Sequence, residues 1–306
     1  MEILKTEKLR KLYKKDDKLF TAVDSINIAV EHGQCVGLVG ESGCGKSTIA
    51  KLIMGIEKST SGNIFLEEND ITNYKKKQRK ELYKTIQMVF QNPVDSFNPK
   101  MTLGKSIEEI KINFGADKKQ IKDDVIKLLE LVGLNSQYYD KYPSNVSGGE
   151  CQRAAIARAL AIAPKLIICD EITSALDVSV QAQIVSLLKD LQKKLSLSYI
   201  FISHDLALVK NICEKIYVMY RGNIVEYGTI KDVINNPKHP YTKLLLQSTS
   251  LNNLDEDLDL IYEDNIDLQV EGCKFYSRCN FKNEKCNKEQ PFLRNVEKQH
   301  YSACVI

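Results

Sequence analysis

No apolar run in the chain approaches the roughly 18–20 residues that a helical membrane span needs, so any membrane role falls to partners. Its opening, "MEILKTEKLRKLYKK", is broken by charge every few residues and lacks the apolar core of a signal peptide. A cytosolic protein is therefore expected. Net charge is only +3 over 306 residues, too little to argue by itself for a nucleic-acid partner. Paired C-x2-C knuckles are absent, although there are nine cysteines. In a reducing compartment those cysteines have little use as a disulfide framework, and clustered ones point first to metal.

What is present is the patterning of an α/β protein. Apolar residues make up 43%, and the length suffices for one large or two modest domains with a real core. "CVGLVG" (35–40), "KLIICD" (165–170) and "SYIFIS" (198–203) are short and almost wholly apolar, as parallel strands buried on both faces are. "SINIAVEHGQ" alternates Ile26, Ile28 and Val30 as a half-buried strand does. Ile121, Val125, Leu128, Leu129 and Val132 recur at helical spacing, as do Ile184, Leu187, Leu188 and Leu191. "IYVMYRGNIVEYG" reads as a hairpin turning at Arg221-Gly222-Asn223.

The composition breaks after residue 250. From Asp255 to Glu271 there are eight acidic residues and no Lys or Arg, after which the chain turns basic and cysteine-rich. The expected organisation is an α/β domain over 1–250, an acidic connection over 251–271 and a small module over 272–306. That module is too short to bury a stable core unaided, which favours a metal staple.

Three motifs carry the chemistry. "GESGCGKST" fits G-x4-G-K-[ST] between a buried strand and a helical pattern. Its Gly40, Ser42, Gly43, Cys44, Gly45 and Thr48 would wrap backbone N–H groups around phosphate oxygens. Lys46 would reach the β- and γ-phosphates, and Ser47 would ligate Mg²⁺. "LIICDE" ends an apolar strand in two carboxylates, placing Asp170 for the Mg²⁺ shell and Glu171 for the attacking water. "VSGGECQRAAIARAL" sets Ser147, Gly148 and Gly149 at a helix start, a second anion site beyond the P-loop. Two phosphate-binding helix starts in one domain suggest that one of them serves a nucleotide held by another copy.

In this order, together with Gln91 in "VFQNP", "SALD" (174–177) and His204 in "SHD", these motifs resemble the ATP-binding subunit of an ABC transporter over about 250 residues. The resemblance implies a P-loop ATPase fold with an N-terminal antiparallel β region and a helical signature subdomain. It implies ATP and Mg²⁺ as ligands, with Ser147, Gly148 and Gly149 completing the partner's site. Gln91 would link Mg²⁺ to the membrane subunits, His204 would contact the γ-phosphate, and Tyr13 would stack on adenine. Glu150 and Cys151 stand where related subunits often carry Gln and Arg, Val146 where Leu is usual and Ile172 where Pro is common. None of these removes a ligand-bearing residue, so a competent half-site is expected.

"QNPVDSFNPKMTLG", "ALDVSVQAQIV", "HPYTKLLL" and the cysteine tail further resemble the dipeptide/oligopeptide importer subfamily, closest to its second ATPase subunit. The usual prolines between "HPYT" and the first tail cysteine are missing. Implied partners are a second homologous ATPase subunit, two transmembrane permease subunits and an extracellular substrate-binding protein, with the chain at the cytoplasmic face of the membrane and no nucleic acid. Nothing in the chain reads the cargo, and a nickel or metallophore importer is the alternative within the subfamily. A soluble ABC ATPase acting on nucleic acid or ribosomes finds support only in "KKKQRK", and it would be expected to carry a coiled-coil insert or a second ATPase domain. A metal-sensing regulator finds support only in the tail.

In that tail Cys273, Cys279, Cys286 and Cys304 follow C-x5-C-x6-C-x17-C. Zn²⁺ and an iron–sulfur cluster both accept four thiolates, and spacing leaves the choice open. The subfamily resemblance implies a [4Fe–4S] cluster in a structural role.

Overall fold

A computed structural model describes residues 1–15, 17–75, 77–248 and 272–305. The acidic connection expected over 251–271 lies outside the described residues.

The chain opens with β1 (Glu2–Lys15) and β2 (Lys18–Ile26), an antiparallel pair that sets Tyr13 opposite Phe20. β3 (Ala29–Glu31) pairs with the start of β1. The half-buried strand expected around Ile26, Ile28 and Val30 is thus split in two, although all three side chains are buried. The split has a local cause. The Ile28 N–H donates to the Thr6 hydroxyl and the Lys8 N–H donates to the Asn27 side chain, so the chain changes pairing there. After β4 (Cys35–Val39) and α1 (Lys46–Ile53), β5 (Ser61–Leu66) and β6 (Asn69–Asp70) return to β1 and complete a five-stranded antiparallel sheet.

Next come α2 (Arg79–Thr85), β7 (Ile86–Val89) and a helical group of α3 (Leu103–Asn113), α4 (Ile121–Leu131) and α5 (Gly148–Leu160). Leu103, Ile107, Val125, Leu129, Ala154 and Ala155 join that group in one core. β8 (Leu166–Asp170), α6 (Val178–Leu195), β9 (Ser198–Ser203), α7 (Leu206–Ile212), β10 (Lys215–Tyr220) and β11 (Asn223–Thr229) follow. Strands β10, β4, β9, β8 and β7 lie side by side in parallel. Their apolar runs serve two cores at once. Cys35, Ile167, Cys169, Tyr199 and Phe201 face the helices, while Val36, Leu38, Ile168, Ile200 and Ile202 face the antiparallel sheet and α1. Burial on both faces is why these strands show no polar alternation.

The hairpin between β10 and β11 turns on Arg221 and Gly222, with φ of 43° and 82°, and Asn223 already belongs to β11. Positive φ at both loop residues matches the right-handed twist of the flanking strands. After α8 (Ile230–Asn235) and α9 (Pro240–Ser248), the described tail holds α10 (Glu284–Lys288), β12 (Arg294–Glu297) and β13 (His300–Ser302). β13 pairs with β11, so the tail extends the central sheet to eight strands.

Two further contacts fasten this tail. Phe275, 2% exposed, packs edge-on to Tyr220 at 5.3 Å and against Tyr241 at 5.6 Å. Burying such a ring contributes about 1.5–3 kcal/mol. The buried Glu226 carboxylate accepts from the N–H groups of Lys238 and His239 and meets His300 Nε2 at 2.6 Å. The metal staple expected for the tail is not displayed: among the described residues, no group of three or more His, Cys, Asp or Glu side chains is arranged to hold a metal ion. Sheet pairing, Phe275 and the Glu226 network supply attachment that a count of the tail's own apolar residues overlooks. No described helix is long and apolar enough to cross a membrane.

Candidate functional site

The segment Gly40–Thr48 runs from the end of β4 into the first turn of α1, at the carboxyl end of the parallel strands. A Cβ on Gly45, whose φ is 113°, would stand 2.3 Å from the Ala22 carbonyl, so only glycine lets the loop lie against β2. That approach also sets the sheet bearing Tyr13 beside the loop. Lys46 is buried, and its ammonium donates to the carbonyls of Gly40 at 2.7 Å and Glu41 at 3.0 Å. Ser42 and Gly43 are exposed at the loop's rim, Cys44 is buried beneath it, and Thr48 is half-buried in the first turn of α1. The Cys44 sulfur lies 3.8 Å from the Lys46 nitrogen, and burial pushes its thiol up.

β8 delivers both carboxylates to this loop. The Ser47 hydroxyl donates to Asp170 at 3.1 Å. Burial raises the Asp170 carboxyl, opposed by the Ser47 hydrogen bond. Glu171 follows with φ 48°, an uncommon conformation for a residue with a side chain, and its N–H donates to the Ile202 carbonyl of β9. One Glu171 oxygen is 3.8 Å from both Lys46 Nζ and His204 Nδ1, and the other accepts from the Gln91 amide at 3.1 Å. His204 is presented by the loop after β9, where Asp205 caps α7 by accepting from the N–H groups of Ala207 and Leu208. The structure therefore gathers Lys46, Ser47, Gln91, Asp170, Glu171 and His204 around one point. The oxygen donors of Ser47, Asp170 and Gln91 have the chemistry that Mg²⁺ prefers.

Ser147, Gly148 and Gly149 lie elsewhere, at the start of α5, and among the described residues no hydrogen bond joins them to Gly40–Thr48. Ser147 and Gly148 are exposed. The Ser147 hydroxyl accepts from the Glu150 N–H, and a Glu150 oxygen accepts from the Ser147 N–H at 2.8 Å, a reciprocal cap. Glu150 also accepts from the Tyr138 hydroxyl, which holds its carboxyl below the usual range. Gly149 has a packing duty as well: a Cβ there would stand 2.6 Å from the Val180 side chain of α6.

Tyr13 is half-buried on β1, with the Lys11 ammonium 4.7 Å from its ring centre. Cys273, Cys279, Cys286 and Cys304 line one small cavity with His239 and Phe275. Burial first, then the neighbouring thiols, pushes Cys273 up to about 11. Sequence patterns do not point to Tyr241, whose hydroxyl accepts from the Glu41 N–H at 2.9 Å. The only sequence signal was its place in "HPYT", which carries no chemistry by itself.

A P-loop facing two strand-end carboxylates, with a capped helix start set apart, defines a nucleotide-binding cassette. The ABC transporter family profile matches residues 23–174, and the profile for the oligopeptide/dipeptide transporter C-terminal region matches residues 225–286. The chain is 42% identical to the oligopeptide transport ATP-binding protein OppF of Haemophilus influenzae, over 93% of this chain and 88% of that one. It is 40% identical to the dipeptide transport ATP-binding protein DppF of Escherichia coli, over 91% and 85%. A dimeric ATP-binding cassette in a post-hydrolysis state, bound to ADP and Pi, superposes with a TM-score of 0.69 at 26% identity, covering 74% of this chain and 98% of that one. The cbiO1 component of a Clostridium perfringens ABC transporter complex gives 0.70 at 29% identity, covering 82% and 96%. The chain belongs to the ABC transporter ATPase family. Within it, the chain groups with the ATP-binding proteins of oligopeptide and dipeptide transporters.

Proposed function

We propose that this chain binds and hydrolyses ATP to drive peptide import across the cytoplasmic membrane. The observation that carries this reading is the convergence of Lys46, Ser47, Asp170, Glu171 and His204 within a chain whose two family matches are both transporter profiles. Residues 1–250 act as the ATPase domain and 272–306 as its appended module, joined by 251–271.

In this mechanism the loop amides and Lys46 grip the β- and γ-phosphates, and Tyr13 stacks on the adenine. Ser47, Asp170 and Gln91 would hold Mg²⁺, which when bound offsets phosphate charge. Glu171 orients the attacking water and accepts its proton, while His204 steadies the γ-phosphate. Ser147, Gly148 and Gly149 present a hydroxyl and backbone amides to the nucleotide of a second, homologous ATPase subunit. Closure of that pair is passed through the surface around Gln91 to two permease subunits, and an extracellular binding protein supplies the cargo.

Four thiols around one cavity support a four-thiolate centre in the tail. The resemblance of the tail to the dipeptide/oligopeptide subfamily makes that centre a [4Fe–4S] cluster, with Zn²⁺ as the alternative that four thiolates also accept. Cys273, Cys279, Cys286 and Cys304 would hold it, and its role there would be structural, joining the segments that bear them.

Purification of the tagged chain from membranes tests the transport reading. Co-purification with two membrane-spanning subunits and a second ATPase is expected. Recovery with ribosomes or nucleic acid instead would overturn it.

A further inference from the structure

One charged contact ties the cysteine-bearing tail to the phosphate loop. The Arg278 guanidinium meets the Glu41 carboxylate as a two-pronged fork, Nη1 to Oε2 and Nη2 to Oε1, each at 3.0 Å. Glu41 is the second residue of the P-loop, and its backbone is already committed. Its carbonyl accepts from the Lys46 ammonium and its N–H donates to the Tyr241 hydroxyl. Its carboxylate is therefore held at the rim of a loop whose chemistry is to receive a polyanion. Left unpaired, that charge opposes phosphate.

Arg278 is delivered to this place by a rigid mount. It ends the short turn Tyr276–Arg278, its N–H donates to the Phe275 carbonyl, and Phe275 is wedged against Tyr220 and Tyr241. Lys274 fixes the other side of the turn, donating to Asp24 at 3.2 Å and to the Arg221 carbonyl at 3.3 Å. The arginine side chain is 15% exposed, against 39% for Glu41, so the cation is the better-held partner. A bidentate fork fixes the direction of the carboxylate as well as offsetting its charge.

We infer that Arg278 is a positioning residue for the nucleotide site: it neutralises Glu41 and turns its carboxylate aside, so that the P-loop meets phosphate through Lys46 with no unpaired carboxylate of its own opposing it. The inference rests on the reading that the P-loop binds ATP. It makes the tail a contributor to nucleotide affinity, independently of any metal held by the cysteines.

The test is equilibrium titration of the full-length chain with trinitrophenyl-ATP and Mg²⁺, with thermal melting to confirm folding. Arg278→Ala is expected to weaken binding about fivefold or more, the scale of exposing one like charge to a polyanion in partly solvated surroundings. Adding Glu41→Gln to Arg278→Ala removes the stranded charge and is expected to restore affinity to within about twofold of wild type. Arg278→Gln, neutral and of similar length, carries the same comparison if the alanine variant does not fold. A tail that is merely docked by this ion pair predicts the opposite, with the double variant as weak as the single one. That result, or an arginine variant that binds as well as wild type, overturns the inference while leaving the ATP reading intact. A wild-type chain that binds no nucleotide would overturn both.

Discussion

Lys46 and Glu171 face each other at 3.8 Å, the ammonium of the phosphate loop against the carboxylate that ends β8. Lys46 is fixed by two loop carbonyls, whereas Glu171 sits in a left-handed backbone conformation braced by β9. Non-glycine residues held this way cost about 1–3 kcal/mol and cluster at sites where chemistry needs them.

In the proposed mechanism phosphate binding and water activation are carried by different side chains, so they separate by mutation. Glu171→Gln is expected to retain ATP affinity while slowing hydrolysis about a hundredfold or more, the loss typical of a general base. Lys46→Ala is expected to weaken ATP binding itself about tenfold or more, by removing a charge-assisted contact. Affinity and turnover measured on both variants in the purified transporter check this. Wild-type hydrolysis by Glu171→Gln would remove Glu171 from the reaction.

Ser147 and Gly148 are exposed at the start of α5, and among the described residues no hydrogen bond joins them to this chain's own phosphate loop. Ser147→Arg is therefore expected to leave nucleotide binding at Gly40–Thr48 unchanged and to impair hydrolysis at the partner's site, by obstructing closure. Nucleotide occupancy measured separately at the two sites distinguishes the outcomes. Equal loss at both would argue against a composite interface.

Glu150 places a carboxylate beside that same helix start, kept ionised by Tyr138 and by the Ser147 N–H. Glu150→Gln keeps an oxygen for the Ser147 N–H and removes a charge that, in the proposed composite site, would oppose the partner's phosphate. Nucleotide-driven dimerisation is expected at about two- to fivefold lower ATP. The variant loses about 0.5 kcal/mol of folding stability, because an anion at a helix N-terminus is favourable. Light scattering against ATP concentration, with a denaturant melt, measures both. Unchanged dimerisation would show that the carboxylate is remote from the incoming phosphate.

Protein purified without oxygen is expected to be brown and to hold about four irons per chain, and Cys279→Ser to lose the colour. Phe275 and the pairing of β13 with β11 remain in that variant. The tail is expected to loosen around Cys279 and to stay attached elsewhere, which hydrogen exchange would map. Colourless protein with about one zinc per chain from iron-replete cells would replace the cluster by Zn²⁺.

By itself the sequence determined whatever depends on local pattern. Buried parallel strands appear as apolar runs because both faces are covered, as at Cys35–Val39 and Ser198–Ser203. The P-loop appears as glycines around Lys46 because backbone conformation and close approach to Ala22 demand them. The carboxylates of Asp170 and Glu171 are adjacent in the chain and at a strand end, so their site is legible too. Contacts between segments distant in sequence were decided only by tertiary structure. The exchange of pairing partner at Asn27–Ile28 depends on side chains of β1. The attachment of β13 to β11 depends on a free sheet edge that no pattern in the tail announces. Arg278 reaches Glu41 across 237 positions because Phe275 is anchored between Tyr220 and Tyr241. An ion pair of that kind leaves no periodicity in the chain. It exists only where the packing of other residues carries two opposite charges to one place.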